Sequence, residues 1–193
     1  MRRLAALAIA CVLATLAAGC STPNAKFYSL TAAPGPATSP SNLSASVGPV
    51  TVPASVDRPQ IVVITGPNQV LLDEFNRWDA PLQNSIARVV VENLVVMLGT
   101  PRVTMFPQTL AAGADYRAVI EVQRFDSTLG SAATLDAVWT VTRAKDGKSQ
   151  TGRTTVTEPP AGQDYGALAA AHSRSLTRLS QDIADAIKAL GGS

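Results

Sequence analysis

Two segments of the chain repeat apolar residues at helical spacing. Between Asp79 and Leu98, the residues Leu82, Ile86, Val89, Val90, Leu94, Met97 and Leu98 recur every three or four positions and predict one apolar helix face. Asp79 suits the N-cap, and Pro81 falls in the first turn, where its missing N–H costs nothing. Gly99 and Pro101 stop the helix. The run Val89-Val90-Val91 lowers its propensity, so packing must hold it. A second helix is predicted from an Asp164 cap to Leu190. Leu168, His172, Leu176, Leu179, Ile183, Ile187 and Leu190 form its stripe, and Gly191-Gly192 ends it.

The remaining apolar residues follow strand patterns. Phe27 to Leu30 predicts a short first strand, and Val47 to Val52 a second, ended by Pro53. Ile61-Val62-Val63-Ile64 is a continuous β-branched run, as in a central strand buried on both faces. The turn Gly66-Pro67-Asn68 leads into Val70-Leu71-Leu72 and predicts a hairpin. A meander follows: Val103 to Phe106, Asp115 to Phe125, Thr134 to Thr142 and Gln150 to Thr157. In its second and third strands, Tyr116, Ala118, Ile120 and Val122, then Leu135, Ala137, Trp139 and Val141, alternate with more polar neighbours. Asp146-Gly147 signals a tight hairpin, and the Thr-rich last strand suits a wet face or an edge. The predicted fold is α+β: a single domain with a mixed/antiparallel β-sheet and two long amphipathic helices packed on one face.

The N-terminus follows a different pattern. Arg2-Arg3 precedes the apolar run Leu4 to Ala18, and Leu16-Ala17-Ala18-Gly19-Cys20 closes it. A basic start, an apolar run too short to span a bilayer and small residues before a Cys make a bacterial lipoprotein signal. The expected parts are a signal peptide over 1–19, a lipidated tether over 20–26 and one domain over 27–190. Ala17 departs from the Leu usual three places before the Cys. An uncleaved anchor and an ordinary secretory peptide are the competing readings. Ser21 follows the Cys, where an Asp favours inner-membrane retention, so the expected location is the outer membrane, lipid-anchored and facing the periplasm.

Cleavage changes the charge and the cysteine chemistry. The chain has 16 Lys and Arg against 14 Asp and Glu. Loss of Arg2 and Arg3 balances the two, so the pI near 8.7 belongs to the precursor and is no sign of nucleic-acid binding. Cys11 leaves with the signal and Cys20 becomes a thioether, which excludes a thiol nucleophile and a disulfide scaffold.

Candidate chemistry is sparse. His172, the lone histidine, has no Gly-x-Ser-x-Gly elbow near it and reads as a core-flanking or interface residue. With one His and no free Cys, no metal site is expected. Asp146-Gly147-Lys148-Ser149 echoes a phosphate loop, but Thr142 stands where its first Gly belongs, and the segment joins two strands. Asp182 and Asp185, near Arg178 and Lys188, read as a solvated helix face. Asp57-Arg58-Pro59-Gln60 either orients the strand after it or contacts a partner. Trp78 either staples the first helix to the sheet or faces an interface. Asp57, Arg58 and Trp78 are therefore the candidate partner contacts. No catalytic residue and no cofactor is expected.

Several segments in order carry a resemblance: Phe27-Tyr28-Ser29-Leu30, Val52 to Val62 with its Pro-Ala-Ser-Val-Asp-Arg-Pro-Gln core, and Arg77-Trp78-Asp79-Ala80-Pro81-Leu82. Arg124-Phe125-Asp126, Leu135-Asp136-Ala137-Val138-Trp139, Ala171-His172-Ser173 and Leu179 to Ala184 continue it. Together they resemble the ABC-type transport auxiliary lipoproteins, the paraquat-inducible protein C-like family. The resemblance implies a non-enzymatic outer-membrane component of an intermembrane lipid transport system. Its implied partners are an MCE-domain protein of the inner membrane and periplasm and, indirectly, an ABC permease and ATPase. It also implies a ring-shaped homo-oligomer docked on the MCE tunnel. The alternative is a periplasmic lipoprotein that itself binds a lipid or other apolar ligand.

Overall fold

Burial of the two predicted helix stripes against one sheet face organises the chain. The structure is a computed structural model that describes residues 24–35, 39–107 and 113–192. The signal peptide, Cys20 and Ser21 lie outside the described residues. The elements are β1 (Lys26–Tyr28), β2 (Ala45–Thr51), β3 (Gln60–Gly66), β4 (Gln69–Trp78), α1 (Leu82–Leu98), β5 (Val103–Met105), β6 (Tyr116–Thr128), β7 (Ala132–Arg143), β8 (Ser149–Glu158) and α2 (Tyr165–Gly191).

The strands form two sheets where the pattern predicts one. The larger has the order β5-β2-β6-β7-β8, the smaller β1-β4-β3. Both are mixed. β2 runs parallel to β5 and β6, and β1 parallel to β4, while β3–β4, β6–β7 and β7–β8 are antiparallel. The chain enters the small sheet, crosses to the large one for β2, and returns for β3 and β4. Ile61 to Ile64 is therefore an edge strand rather than a central one. Ile61 and Val63 are buried, while Val62 and Ile64 are partly exposed on the other face. A β-branched run reports extended backbone, not strand position, so periodicity could not make this distinction.

Both helices lie on one face of the large sheet. α1 covers β2 and β5, α2 covers β6 to β8, and the two helices touch. Every residue of the α2 stripe is buried, as are Leu82, Ile86, Val89, Val90, Leu94 and Leu98 of α1, with Met97 partly buried. Each fully buried Leu or Ile stabilises by about 1.5–3 kcal/mol over its exposed state. Between the helices, Asn93 donates to Ser180 Oγ at 3.1 Å and accepts from the Ala33 N–H at 3.0 Å. The segment after β1 is pinned across the same seam by the Thr31 N–H on Ser173 Oγ and by Arg88 on the Leu30 carbonyl.

The ends differ in how far they follow sequence signals. Asp164 caps α2, accepting from the Ala167 N–H at 2.8 Å, and Gly99 closes α1 in the left-handed conformation at φ 63°. Asp79 does not cap α1. The helix starts at Leu82, after Pro81, and the Asp79 carboxylate accepts from the Ser29 hydroxyl. The Asp146-Gly147 turn is a four-residue loop, because Arg143 and Lys148 still pair and Gly147 takes φ 72°.

On the helix side of the sheet, Trp139 fills the space opposite Gly152. Its indole N–H donates to Thr154 Oγ1 at 3.0 Å, and Thr154 donates to Asp182 on α2 at 2.7 Å. Asp182 thus ties its helix to the sheet edge rather than only facing solvent, although Arg178 pairs with it at 3.3 Å. A Cβ at Gly152 would lie 2.3 Å from the Trp139 ring. Gly152→Val is expected to destabilise the fold by about 1–3 kcal/mol through overpacking, measured as a lower urea midpoint with unchanged m-value.

Candidate functional site

The three residues singled out as partner contacts meet in one place. A groove of about 420 Å³ is lined by Phe27, Asp57, Arg58, Pro59, Trp78, Asp79, Ala80 and Pro81. It lies where the small sheet hands the chain to α1. Backbone bonds fix this corner: the Trp78 N–H donates to the Pro59 carbonyl at 2.8 Å, and the Asp79 N–H to the Tyr28 carbonyl at 3.0 Å. The segment 53–58 curls into a turn, with Val56 and Asp57 both donating to the Pro53 carbonyl. Three prolines near the corner restrict it further, since each fixes its own φ. The groove wall is therefore preformed. Phe27 is 64% exposed at its rim, whereas Trp78 is 5% exposed and forms its floor. Phe27 has no counterpart among the sequence candidates, because a lone aromatic in a short strand gives no sign of which side it faces.

Trp78 is held from behind by an aromatic cluster. His172 stacks on Phe125 with ring centroids 3.9 Å apart and planes 11° from parallel. Trp78 meets both rings edge-on, at 6.1 Å and 6.3 Å. A bulge between Val122 and Arg124 shifts the register of β6, which places Phe125 and Ser127 on the buried side. Ser127 Oγ and His172 Nε2 lie 2.8 Å apart, and Nδ1 is buried with no partner. His172 is thus fully buried in the core, deeper than the core-flanking or interface place its sequence suggests. Burial pushes its pKa down to about 3, so the imidazole is neutral. Trp78 packs into the core between the small sheet and the start of α1, as the stapling reading expects, and one side of its ring lines the groove.

Charges at the site are moderated by hydrogen bonds. Burial works to raise the Asp73 carboxyl. Bonds from the Tyr165 hydroxyl, the Phe75 and Asn76 N–H groups and the Asn76 amide outweigh it and hold Asp73 below the ordinary range. Burial, with Asp73 beside it, raises the Tyr165 hydroxyl. Tyr28 stands 5.8 Å from Tyr165 and donates to Asn76, which locks β1 against β4 and the start of α2. At the groove itself, Arg58 Nε is buried without a partner. Elsewhere, Arg153 grips Asp136 through Nε at 2.7 Å on the outer face of the large sheet, which lowers the Asp136 carboxyl. Among the described residues, no group of three or more His, Cys, Asp or Glu side chains is placed to hold a metal ion. No helix among them is long and apolar enough to cross a membrane.

The depressed His172 pKa sets a pH dependence. The unfolded chain takes up a proton near pH 6.5 and the folded chain only near 3, so this share of stability is lost as pH falls through that window. Stability is expected to be about 2 kcal/mol lower at pH 5 than at pH 7. Asp73, Asp115 and Asp136 have lowered values, and their stabilisation falls only below pH 4 or so. Urea unfolding of the His172→Phe variant should show a nearly flat profile between pH 7 and 5. An unchanged slope in that variant would assign the loss to other groups.

Known proteins place this architecture. A crystal structure of a Xanthomonas campestris protein of the family DUF330 matches with TM-score 0.69 and 22% identity, covering 87% of this chain and 98% of that one. A second, uncharacterised protein matches with TM-score 0.70 and 19% identity, over 86% and 99% of the two chains. At these identities the likeness shows a shared fold. A PelC dodecamer from Paraburkholderia phytofirmans reaches only TM-score 0.44 at 13% identity, over 79% and 93% of the chains. No curated protein sequence matches the chain. The sequence model of the ABC-type transport auxiliary lipoprotein component matches residues 28–184, from the end of β1 to well into α2. The span takes in the groove floor, the aromatic cluster, the α1 stripe and the α2 stripe as far as Ile183, and the chain belongs to the ABC-type transport auxiliary lipoprotein component family.

Proposed function

We propose that the chain is a non-enzymatic docking subunit of an ABC-type transport system, one that moves lipid between membranes through an MCE-domain protein. Acylation of Cys20 holds it on the periplasmic side of the outer membrane, and the groove receives the partner. The observation that carries this reading is the convergence of Asp57, Arg58 and Trp78 on one preformed groove beside an exposed Phe27. Aromatic and Arg side chains in a prebuilt concavity are the usual anchors of protein interfaces. Proline-fixed walls lower the ordering cost of association. Asp57 and Arg58 present both signs of charge at one end, which suits recognition of a polar segment flanking an apolar anchor.

The anchor fits this role. The stretch from Cys20 to Lys26 reaches at most roughly 20 Å, so the folded domain works close to the lipid surface. A ring of identical subunits would place several grooves around one axis, matching a tubular partner.

Two measurements test the reading. Phe27→Asp alters an exposed rim group and Arg58→Ala a half-buried one, and each is expected to weaken co-purification of the MCE-domain partner about tenfold or more, with little change in melting temperature for Phe27→Asp. Retained binding in the double variant would reject the groove as the contact. Cys20→Ala is expected to abolish palmitate labelling and to shift the chain from the membrane fraction to the soluble one. Labelling that survives this change would remove the lipoprotein assignment. Mass photometry of the acylated protein in detergent should give one discrete oligomer, whereas a monomer with one bound lipid by native mass spectrometry would favour a ligand-binding lipoprotein instead.

A further inference from the structure

The β3–β4 hairpin carries exposed apolar side chains on both of its faces. Val70 is 58% exposed, Leu71 48%, and Leu72 and Phe75 40% each. Val70 and Leu72 sit opposite Ile64 and Val62 on one face, and Leu71 sits on the other opposite Val63. From Ile61 to Leu72 there is no charged side chain. Charge begins at Asp73 and Glu74, toward the base, where Asp73 is tied down by Tyr165. A water-facing hairpin normally keeps one polar face and guards its free edge with charge. This one has an uncharged outer half, apolar on both sides.

The direction of β1 says what covers it. β1 pairs with β4 in parallel, Lys26 opposite Asn76 and Tyr28 opposite Trp78. Moving back along the chain from Lys26 therefore leads toward the hairpin tip. Cys20 lies six positions before Lys26, and Val70 six before Asn76. β4 bulges between Asp73 and Arg77 and so advances less than a straight strand, and at roughly 3.3 Å per residue a tether continuing in that direction has the reach to bring Cys20 past Val70 to the hairpin tip. The acyl-bearing residue and the apolar strip can thus reach the same plane at the same end of the molecule.

We infer that the outer half of the β3–β4 hairpin rests in the lipid interface as a second membrane contact, beside the acylated Cys20. The inference rests on the proposed lipidation of Cys20. The hairpin lies in the headgroup region rather than the hydrocarbon core, because the backbone groups along the free edge of β3 need water as partners. Val70, Leu71 and Leu72 are of the side-chain types that enter the acyl boundary by several ångströms. Two contacts fix the orientation of the domain, where a single flexible anchor would leave it free to tumble. The groove lies at the Trp78 end of β4, and Arg58 on its wall also borders the concavity under Val70 and Leu72.

The test uses the full chain, expressed with its signal, purified from membranes and placed in vesicles of phosphatidylethanolamine and phosphatidylglycerol. Once Cys20 is acylated the mature chain holds no free thiol, so a single Cys introduced as Leu71→Cys can carry an environment-sensitive fluorophore. Lys145→Cys, in the exposed loop at the far end of the β6–β7 pair, is the control. The Leu71 label is expected to emit to the blue and to be quenched by spin-labelled lipid about threefold or more strongly than the Lys145 label. Equal quenching of the two labels, in protein that floats with the vesicles, overturns the inference. A Leu71 label that is shielded only after a soluble partner protein is added assigns the strip to that protein and also overturns it. Protein that fails to float and lacks the acyl mass refutes the anchoring reading, and the inference falls with it.

Discussion

The stack of His172 on Phe125, with Trp78 edge-on to both, is the joint on which the molecule depends. It collects one residue from the end of the small sheet, one from the large sheet just past its bulge, and one from α2. Without it, the small sheet would meet the rest of the domain mainly along the β3–β6 contact. Aromatic pairs in such geometry contribute about 0.5–1.5 kcal/mol beyond the area they bury. Their directional preference also fixes angle, which simple apolar packing does not. The neutral imidazole makes the joint possible: a charged ring would not be tolerated at full burial, and its bond to Ser127 satisfies one nitrogen.

The joint also sets up the groove. Trp78 is at once the last residue of β4, the floor of the groove and a member of the stack. Its back is buried in the core and its front lines the concavity. A partner pressing on the groove would therefore push against a ring backed by the core. The Asp57-Arg58-Pro59 turn owes its place to the same residue, through the Trp78 N–H bond to Pro59. Groove and core are in this sense one construction.

Splitting the strands between two sheets has a further consequence. The large sheet is covered on one face by helices, and its other face is a polar ladder: Thr134 with Thr157, Thr140 with Thr151, Thr142 with Ser149, and Asp136 with Arg153. The small sheet projects an apolar hairpin instead. The two ends of the domain thus present different chemistry, one suited to water and one to a less polar neighbour.

Much of this was legible along the chain. Both helices, the faces they bury, the strand alternation of β6 and β7, the Gly99 stop and the Asp164 cap follow from period and from capping chemistry, which act between residues close in sequence. The sequence also singled out Asp57, Arg58 and Trp78, which the fold brings to one groove. Strand order was not. Whether Ile61 to Ile64 lies at a centre or an edge depends on what pairs with it, and β-branched side chains fit either place. Asp79 looked like a cap because the sequence shows the helix that follows but not Ser29, fifty positions earlier, which competes for its carboxylate. The apolar hairpin read as ordinary strand for the same reason, since only tertiary structure shows which side chains find no cover. Local patterning determined what each segment is. The long-range contacts decided which faces remain exposed, and the proposed partner and membrane contacts both lie on those faces.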